Sequence, residues 1–291
     1  MSGQLPEIVV GRLERSCREG GRPLARIRMG AGADGIERAE AFFRDRAFAL
    51  HRHDTYAVGV TVSGVQAFTY RGAAHFCLPG WLHVLYPDEL HDGAPGTEDG
   101  FGYRILYVDP ALIGAALDGR PLPFVADPVV AATSAPARRL GAAIRDVDEP
   151  LDEIGVSALV VTLADALSEI AGGGEAARPA VDREAVARVR EALIDEAGEA
   201  APMAALEAVA GLDRWTLARQ FRAAYGTSPH RFRVLRRLER ARRLIAAGVT
   251  LAAAAAATGF ADQSHMTRQF KGAYGLTPAR WLAAITAPKV T

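Results

Sequence analysis

The chain has 291 residues, 49% hydrophobic and 23% charged, with only two cysteines, which is the balance of a water-soluble globular protein with room for two cores and excludes a disulfide scaffold. No apolar run approaches the roughly 18 residues of a membrane span, and the opening MSGQLPEIVVGRLERSCREGG lacks the basic start and apolar stretch of a secretory leader, so a cytoplasmic location is expected. The net charge of zero hides an asymmetry: residues 1–180 carry 17 Lys+Arg against 24 Asp+Glu (−7), and residues 181–291 carry 17 against 10 (+7), which points either to nucleic-acid contact by the second half or to a basic solvated surface.

Residues up to about Ile36 are rich in Gly and Arg, with little periodicity, and read as an arm or an irregular first strand. Cys17 and Cys77 match no zinc spacing and read as ordinary thiols. From Ala41 to Val108 short apolar runs such as YAVGVTVSG, VQAFTYRG, WLHVLYP and GYRILYV are broken by turn residues. In VQAFTYRG, Gln66, Phe68 and Tyr70 alternate with Val65, Ala67 and Thr69, the period of a strand. Several short strands in succession predict a small β-sandwich or barrel. Tyr86-Pro87 and Gly93 read as turn residues.

The period then changes. Ala135–Val147 and Leu151–Ile170 read as helices, and the second has so sparse a polar side that it should pack on more than one face. AGGGEAARPA, at 171–180, is a linker by composition. Everything after Val181 reads helical, beginning with an amphipathic segment, Asp182–Ala197. Cap residues stand at Asp213, Thr250 and Asp262, and the pairs Ser228-Pro229 and Thr277-Pro278 put a hydroxyl before a first-turn proline.

Sliding Asp213–Phe232 by 49 positions onto Asp262–Trp281 aligns nine identical residues in 20, so the unit is duplicated. Each copy has an alanine-rich helix, a glycine (Gly211 or Gly259) for a left-handed turn, and an Asp-capped helix. Leu217 and Phe221, or Met266 and Phe270, face inward four residues apart. This is a helix-turn-helix twice over. Between the copies, the 19 residues Pro229–Ala247 form about 29 Å of helix, close to the ~34 Å of one DNA turn. That helix carries seven arginines (231, 233, 236, 237, 240, 242, 243) against Glu239.

Two segments, VAGLDRWTLARQFRAAYGTSPHRF and ATGFADQSHMTRQFKGAYGLTPARW, resemble the AraC/XylS family of transcription regulators over about Val181–Ala287. The resemblance implies that both second helices enter the DNA major groove. Base contacts then fall to Arg214, Trp215, Thr216 and Arg219 in the first unit, and to Gln263, Ser264, His265, Thr267 and Arg268 in the second. Arginine can grip guanine, glutamine adenine, and Trp215 a thymine methyl or a sugar; burial of Trp215, and phosphate or structural roles for Arg219 and Arg268, stay open. Arg222, Lys271, Arg231 and Arg280 are assigned to phosphate contacts or to salt bridges within the domain.

HRHDTYAVGVTVSG, YRG and YPDELHDG resemble the cupin-type sensor domain of the same family, followed by dimerisation helices. The expected architecture is therefore α+β and multidomain. A cupin-like sensing and dimerisation domain spans 1–170, a linker 171–181, and an all-α domain of two helix-turn-helix units joined by a long helix 182–291. His51, His53, Tyr56, Trp81, His91 and Tyr103 are the expected lining of an effector pocket. His51, His53 and His91 also fit three of the four ligand positions of a metal-binding cupin, but the carboxylate position is Ala57, so no metal and no cofactor are expected. The implied function is a non-enzymatic, effector-responsive regulator of transcription. Its partners would be double-stranded DNA, an unidentified small molecule, a second copy of the chain and RNA polymerase, with no membrane. The alternative is a cupin metalloenzyme fused to a DNA-binding domain.

Overall fold

A computed structural model describes residues 18–19, 22–23, 25–45, 47–118, 120–172, 181–195 and 202–287. Residues 1–17, with Cys17, and most of the expected linker (173–180) lie outside these residues, whereas the segment expected as an arm or irregular first strand is described continuously from Ala25 and forms a regular strand at Ala25–Met29. The strands are β1 (Arg18–Glu19), β2 (Arg22–Pro23), β3 (Ala25–Met29), β4 (Ile36–Phe43), β5 (Phe48–His51), β6 (Tyr56–Gly64), β7 (Gln66–Tyr70), β8 (Ala73–Cys77), β9 (Leu82–Leu85), β10 (His91–Pro95), β11 (Phe101–Val108) and β12 (Val129–Val130). Strands β1 and β2 pair with each other. A six-stranded sheet ordered β12-β9-β6-β11-β4-β3 stands against a four-stranded sheet ordered β5-β10-β7-β8, giving the cupin-like double sheet that the punctuated apolar runs predict.

Strand alternation sorts this domain into two cores. On β6, Ala57 points between the sheets with Phe68, Tyr70, Cys77 and Phe101. Its neighbours Tyr56 and Val58 point the other way, into a core shared with three helices, α1 (Pro110–Ala116), α2 (Ala135–Ala143) and α3 (Glu153–Ile170). Helix α2 ends earlier than its apolar period suggests, although Ile144 and Val147 are buried. Beyond the helix end the chain turns to the β-domain, where the Val147 carbonyl accepts from the Ala31 amide at 2.8 Å. Helix α3 starts where Asp152 caps the Gly155 amide. Gly93, expected in a turn, lies within β10 opposite Phe48.

The helical domain comprises α4 (Arg183–Asp195), α5 (Met203–Ala210), α6 (Arg214–Tyr225), α7 (Pro229–Ala246), α8 (Leu251–Ala257), α9 (Gln263–Tyr274) and α10 (Pro278–Thr286). All five expected caps operate: Asp213, Ser228, Thr250, Asp262 and Thr277 each accept from an amide two or three residues on. Two cores follow the repeat. One gathers Val186 and Val189 of α4 with Leu217 and Phe221, and the other gathers Leu235 and Leu238 of α7 with Met266, Phe270 and Trp281. Among the described residues no helix is long and apolar enough to cross a membrane.

A candidate nucleic-acid interface and a cavity between domains

Both helix-turn-helix units are built by the same local chemistry. Gly211 (φ 68°) and Gly259 (φ 73°) take the left-handed turn, and α6 and α9 begin three and four residues later, each on its aspartate cap. The first turn of α6 is therefore fixed with Arg214 and Trp215 in solvent; Trp215 is 71% exposed. Arg219 is exposed on the same helix, and its guanidinium donates to Thr216 Oγ1 at 3.0 Å. On α9, Gln263, Ser264 and Arg268 are exposed, while His265 and Thr267 are half-buried. His265 meets the Phe260 ring edge-on. Arg222 and Lys271 are exposed. The exposure of Trp215 removes burial as an explanation for that residue.

Arg231 stands elsewhere. Its guanidinium pairs with Asp88 at 2.7 Å and donates to the Arg52 carbonyl at 2.6 Å, both on the β-domain. Of the two expected roles of Arg231, phosphate contact does not hold in this arrangement, because a carboxylate already neutralises it, and the salt bridge it makes crosses to the β-domain and is not within its own domain. It is one of several such contacts. Arg236 pairs with Asp54 at 2.8 Å, Arg242 pairs with Glu37, and Arg190 of α4 pairs with Asp109 at 2.6 Å. Burial alone would lower the Arg236 pKa, but the Asp54 and Glu239 carboxylates raise it. Much of the basic face of α7 is thus turned to the acidic β-domain.

The repeat also docks symmetrically. Gly226 and Gly275 end α6 and α9 with φ near +70°, and both sit on the β-domain. A Cβ on Gly226 would stand 2.5 Å from Pro87 Cβ, and one on Gly275 would stand 2.7 Å from Phe48 Cβ and 2.9 Å from His51 Nδ1. The Gly275 and Gly272 carbonyls accept from the Ala49 and Arg52 amides at 2.9 and 3.2 Å. By contrast, nothing lies within 4 Å of a Cβ on Gly211. Gly211→Ala is therefore expected to cost about 1–2 kcal/mol from its positive φ alone. Gly275→Ala adds an overpacking cost of about 1–3 kcal/mol and frees the Ala49 and Arg52 amides. Urea unfolding with amide hydrogen exchange checks both, and equal costs with unchanged exchange would refute the docking role of Gly275.

Between the domains lies a cavity of about 650 Å³, within the ~300–1,000 Å³ range of small-molecule sites. Its inner wall is the barrel interior, where the small side chains of Ala39, Ala41 and Ala57 leave the space. Its outer wall is supplied by Leu235, Leu276 and Trp281 of the helical domain. Four of the six expected lining residues are there: His51, His53, His91 and Tyr103. Tyr56 is not, because strand parity turns it to the helix side, where its hydroxyl donates to the Pro123 carbonyl. Trp81 is not, because it sits 38% exposed after the β8–β9 turn. Sequence reasoning missed Phe68 and His83, although WLHVLYP alternates and gives His83 the inward parity of Leu85.

His51, His53 and His91 converge, with ring nitrogens within 4.8 Å of one another. Burial is the main force lowering all three pKa values, to about 3 for His53 and about 4 for His91, and neighbouring imidazoles add to it for His51 and His53. All three rings are therefore neutral at pH 7.

A family model described as an AraC-like ligand binding domain matches residues 35–193, and one described as a helix-turn-helix domain matches 206–284. The described fold is similar to that of ToxT from Vibrio cholerae. An apo single-substitution form superposes with a TM-score of 0.62 at 11% identity, over 88% of this chain and 100% of that one. A form with bound unsaturated fatty acid gives 0.60 at 11%, over 90% and 95%. A third, bound to (E)-4-(8-methylnaphthalen-1-yl)but-3-enoic acid, gives 0.59 at 11%, over 90% and 98%. A search of curated protein sequences returned no match.

Proposed function

The chain belongs to the AraC family, with an AraC-like ligand-binding domain and a helix-turn-helix DNA-binding domain, and from that premise we propose that it regulates transcription through a cavity ligand that touches both domains at once. The observation that carries this reading is the shared wall of the cavity. A ligand contacting the barrel and α7 together binds the docked arrangement more tightly than the undocked one, and that difference is what shifts a two-state equilibrium. Two ToxT structures carry carboxylic acids with extended apolar bodies. The cavity here combines an apolar interior with arginines 190, 236 and 242 at its border, and a ligand carboxylate would compete there with Asp109, Asp54 and Glu37 for them, so an apolar carboxylic acid is the proposed effector class.

In this reading the domains divide at 1–170, 171–181 and 182–291, although the packing of Val186 and Val189 against Phe221 ties α4 to the first helix-turn-helix. The chain acts as a homodimer, in the cytoplasm, without catalysis, and RNA polymerase is its partner at the promoter. Support for dimerisation comes from α3, whose Ile154 and Val161 are 80% and 51% exposed, so the second apolar face read from the sequence has no cover among the described residues. Arg214, Trp215, Thr216 and Arg219 read one half-site, and Gln263, Ser264, His265, Thr267 and Arg268 read the other, with Arg222 and Lys271 on phosphate.

Arg268→Ala is expected to weaken promoter binding by about 1–3 kcal/mol and to relax base choice at one position. A gel-shift titration of the folded variant measures it, and an unchanged affinity would remove Arg268 from the interface.

A further inference from the structure

One residue holds both ends of the turn in the first helix-turn-helix. The Glu207 carbonyl, in α5, accepts from the Gly211 and Leu212 amides at 2.8 and 3.3 Å. The Glu207 carboxylate accepts from the Arg214 amide, the first of α6, at 2.7 Å. Asp213 takes the next two amides, of Trp215 and Thr216, at 2.9 and 3.1 Å. The first turn of α6 is therefore fixed to α5 as well as to its own cap. The carboxylate oxygen that accepts the Arg214 amide also lies 3.8 Å from Arg214 Nε. An ion pair with the arginine side chain 61% exposed adds little to stability. Its effect is on direction: the contact is made at Nε, and neither terminal nitrogen of Arg214 has a hydrogen-bond partner among the described residues.

The repeat supplies an internal comparison. Moved by 49 positions, Glu207 becomes Ala256 and Arg214 becomes Gln263. The carboxylate is present in the copy whose recognition helix opens on arginine, and missing from the copy that opens on uncharged glutamine. Capping alone does not account for it, because α9 starts on Asp262 with alanine at the matching place in α8.

We propose that Glu207 is the positioning residue of the first recognition helix: it aims the Arg214 guanidinium and restrains its charge, so that Arg214 reads guanine instead of gripping phosphate at any sequence. The proposal rests on the placement of α6 in the major groove. Arginine reads guanine by offering two N–H groups of its rigid fork to O6 and N7. An unrestrained arginine at a helix end sweeps a wide volume and is drawn to phosphates, which carry no base identity. A carboxylate on the preceding helix opposes both effects. It favours one direction of the side chain, and its charge repels the phosphate that competes with the base. Discrimination is a difference of affinities, so a weaker non-specific contact raises it as a stronger specific one does.

The test uses the full chain with two probes: a pool of duplex DNA with a randomised core, sequenced after capture, and mixed-sequence duplex titrated at two salt concentrations. Wild type is expected to select guanine at a position that Arg214→Gln no longer discriminates. Glu207→Gln keeps an oxygen for the Arg214 amide and removes the charge. It is expected to reduce the guanine preference at that position by about fivefold or more. It should also bind mixed-sequence DNA more tightly, with a salt slope steeper by about one unit. Glu207→Ala, matching Ala256 of the second copy, is the second variant, and circular dichroism establishes that both are folded. In an Arg214→Gln background, Glu207→Gln is expected to change base choice no further. A merely structural role lowers both affinities together and leaves base choice and salt slope alone, and that result would overturn the proposal. So would an effect on base choice that persists without Arg214, which would make Glu207 a base contact in its own right. A wild-type chain that enriches no sequence would overturn the DNA reading beneath the proposal; an enriched site whose guanine preference survives in both folded Glu207 variants overturns the proposal alone.

Discussion

Asp54→Asn is expected to release the two domains from each other while leaving each folded, at a cost of about 3 kcal/mol. Asp54 is buried and holds Arg236 at 2.8 Å. Removing one partner of a buried pair leaves the other charge without its counterion, which costs about 3–5 kcal/mol. The low end applies because Arg236 keeps Glu239 at 3.0 Å and because asparagine retains the shape. The guanidinium also lies 4.9 Å from the Phe232 ring centroid, which anchors it in place and prevents it from swinging to solvent without losing that contact. Calorimetry of the full chain checks the result: the variant separates into two transitions where the wild type couples them. A single transition at the wild-type temperature would show that the pair does not hold the domains.

Phe270→Ala is expected to destabilise the second helix-turn-helix by about 3–5 kcal/mol, a large part of the stability of a small domain. The side chain is fully buried, stacked edge-on against Tyr274 at 4.6 Å and Trp281 at 5.9 Å. Truncation therefore removes both the burial of the ring and two aromatic contacts. Phe221 is its counterpart 49 residues earlier, equally buried against Tyr225 and Phe232, and Phe221→Ala should cost a similar amount in the first unit. The two differ in what they release. Loss of Phe270 loosens α9, whose end seats on β5, so urea unfolding should show a loss of domain coupling in Phe270→Ala as well as a lower midpoint. A cost under about 1 kcal/mol would mean that the core re-forms around the gap.

What the sequence showed and what it hid divide along local and distant contacts. The caps, the left-handed glycines and the 49-residue repeat depend on neighbours within one or two turns, so Asp213, Gly211 and the inward Phe221 and Phe270 were readable residue by residue. Strand parity was readable too, and following it would have moved Tyr56 out of the pocket and His83 into it. The partners of the α7 arginines were not. Asp88, Asp54 and Glu37 lie more than 140 positions from Arg231, Arg236 and Arg242, and no local pattern marks them. The opposite charges of the two halves, read as a signature of DNA binding, serve in part as complementarity between the domains. Gly226 and Gly275 align in the 49-residue repeat, but their role in letting the β-domain approach belongs to the tertiary structure.

Docking on the β-domain neutralises arginines of the DNA-binding domain and fixes its two recognition helices, so docking and DNA binding compete. The most direct measurement is a titration of promoter DNA into the full chain and into a Glu37→Gln, Asp54→Asn, Asp88→Asn variant at two salt concentrations. All three substitutions are on the β-domain and leave the DNA-binding residues untouched; Asp88 has a positive φ of 62°, which asparagine tolerates. Tighter binding by the variant is expected, with a steeper loss of affinity with salt, by about one unit of slope for each arginine that gains a phosphate. Superimposable titrations at both salt concentrations would contradict it.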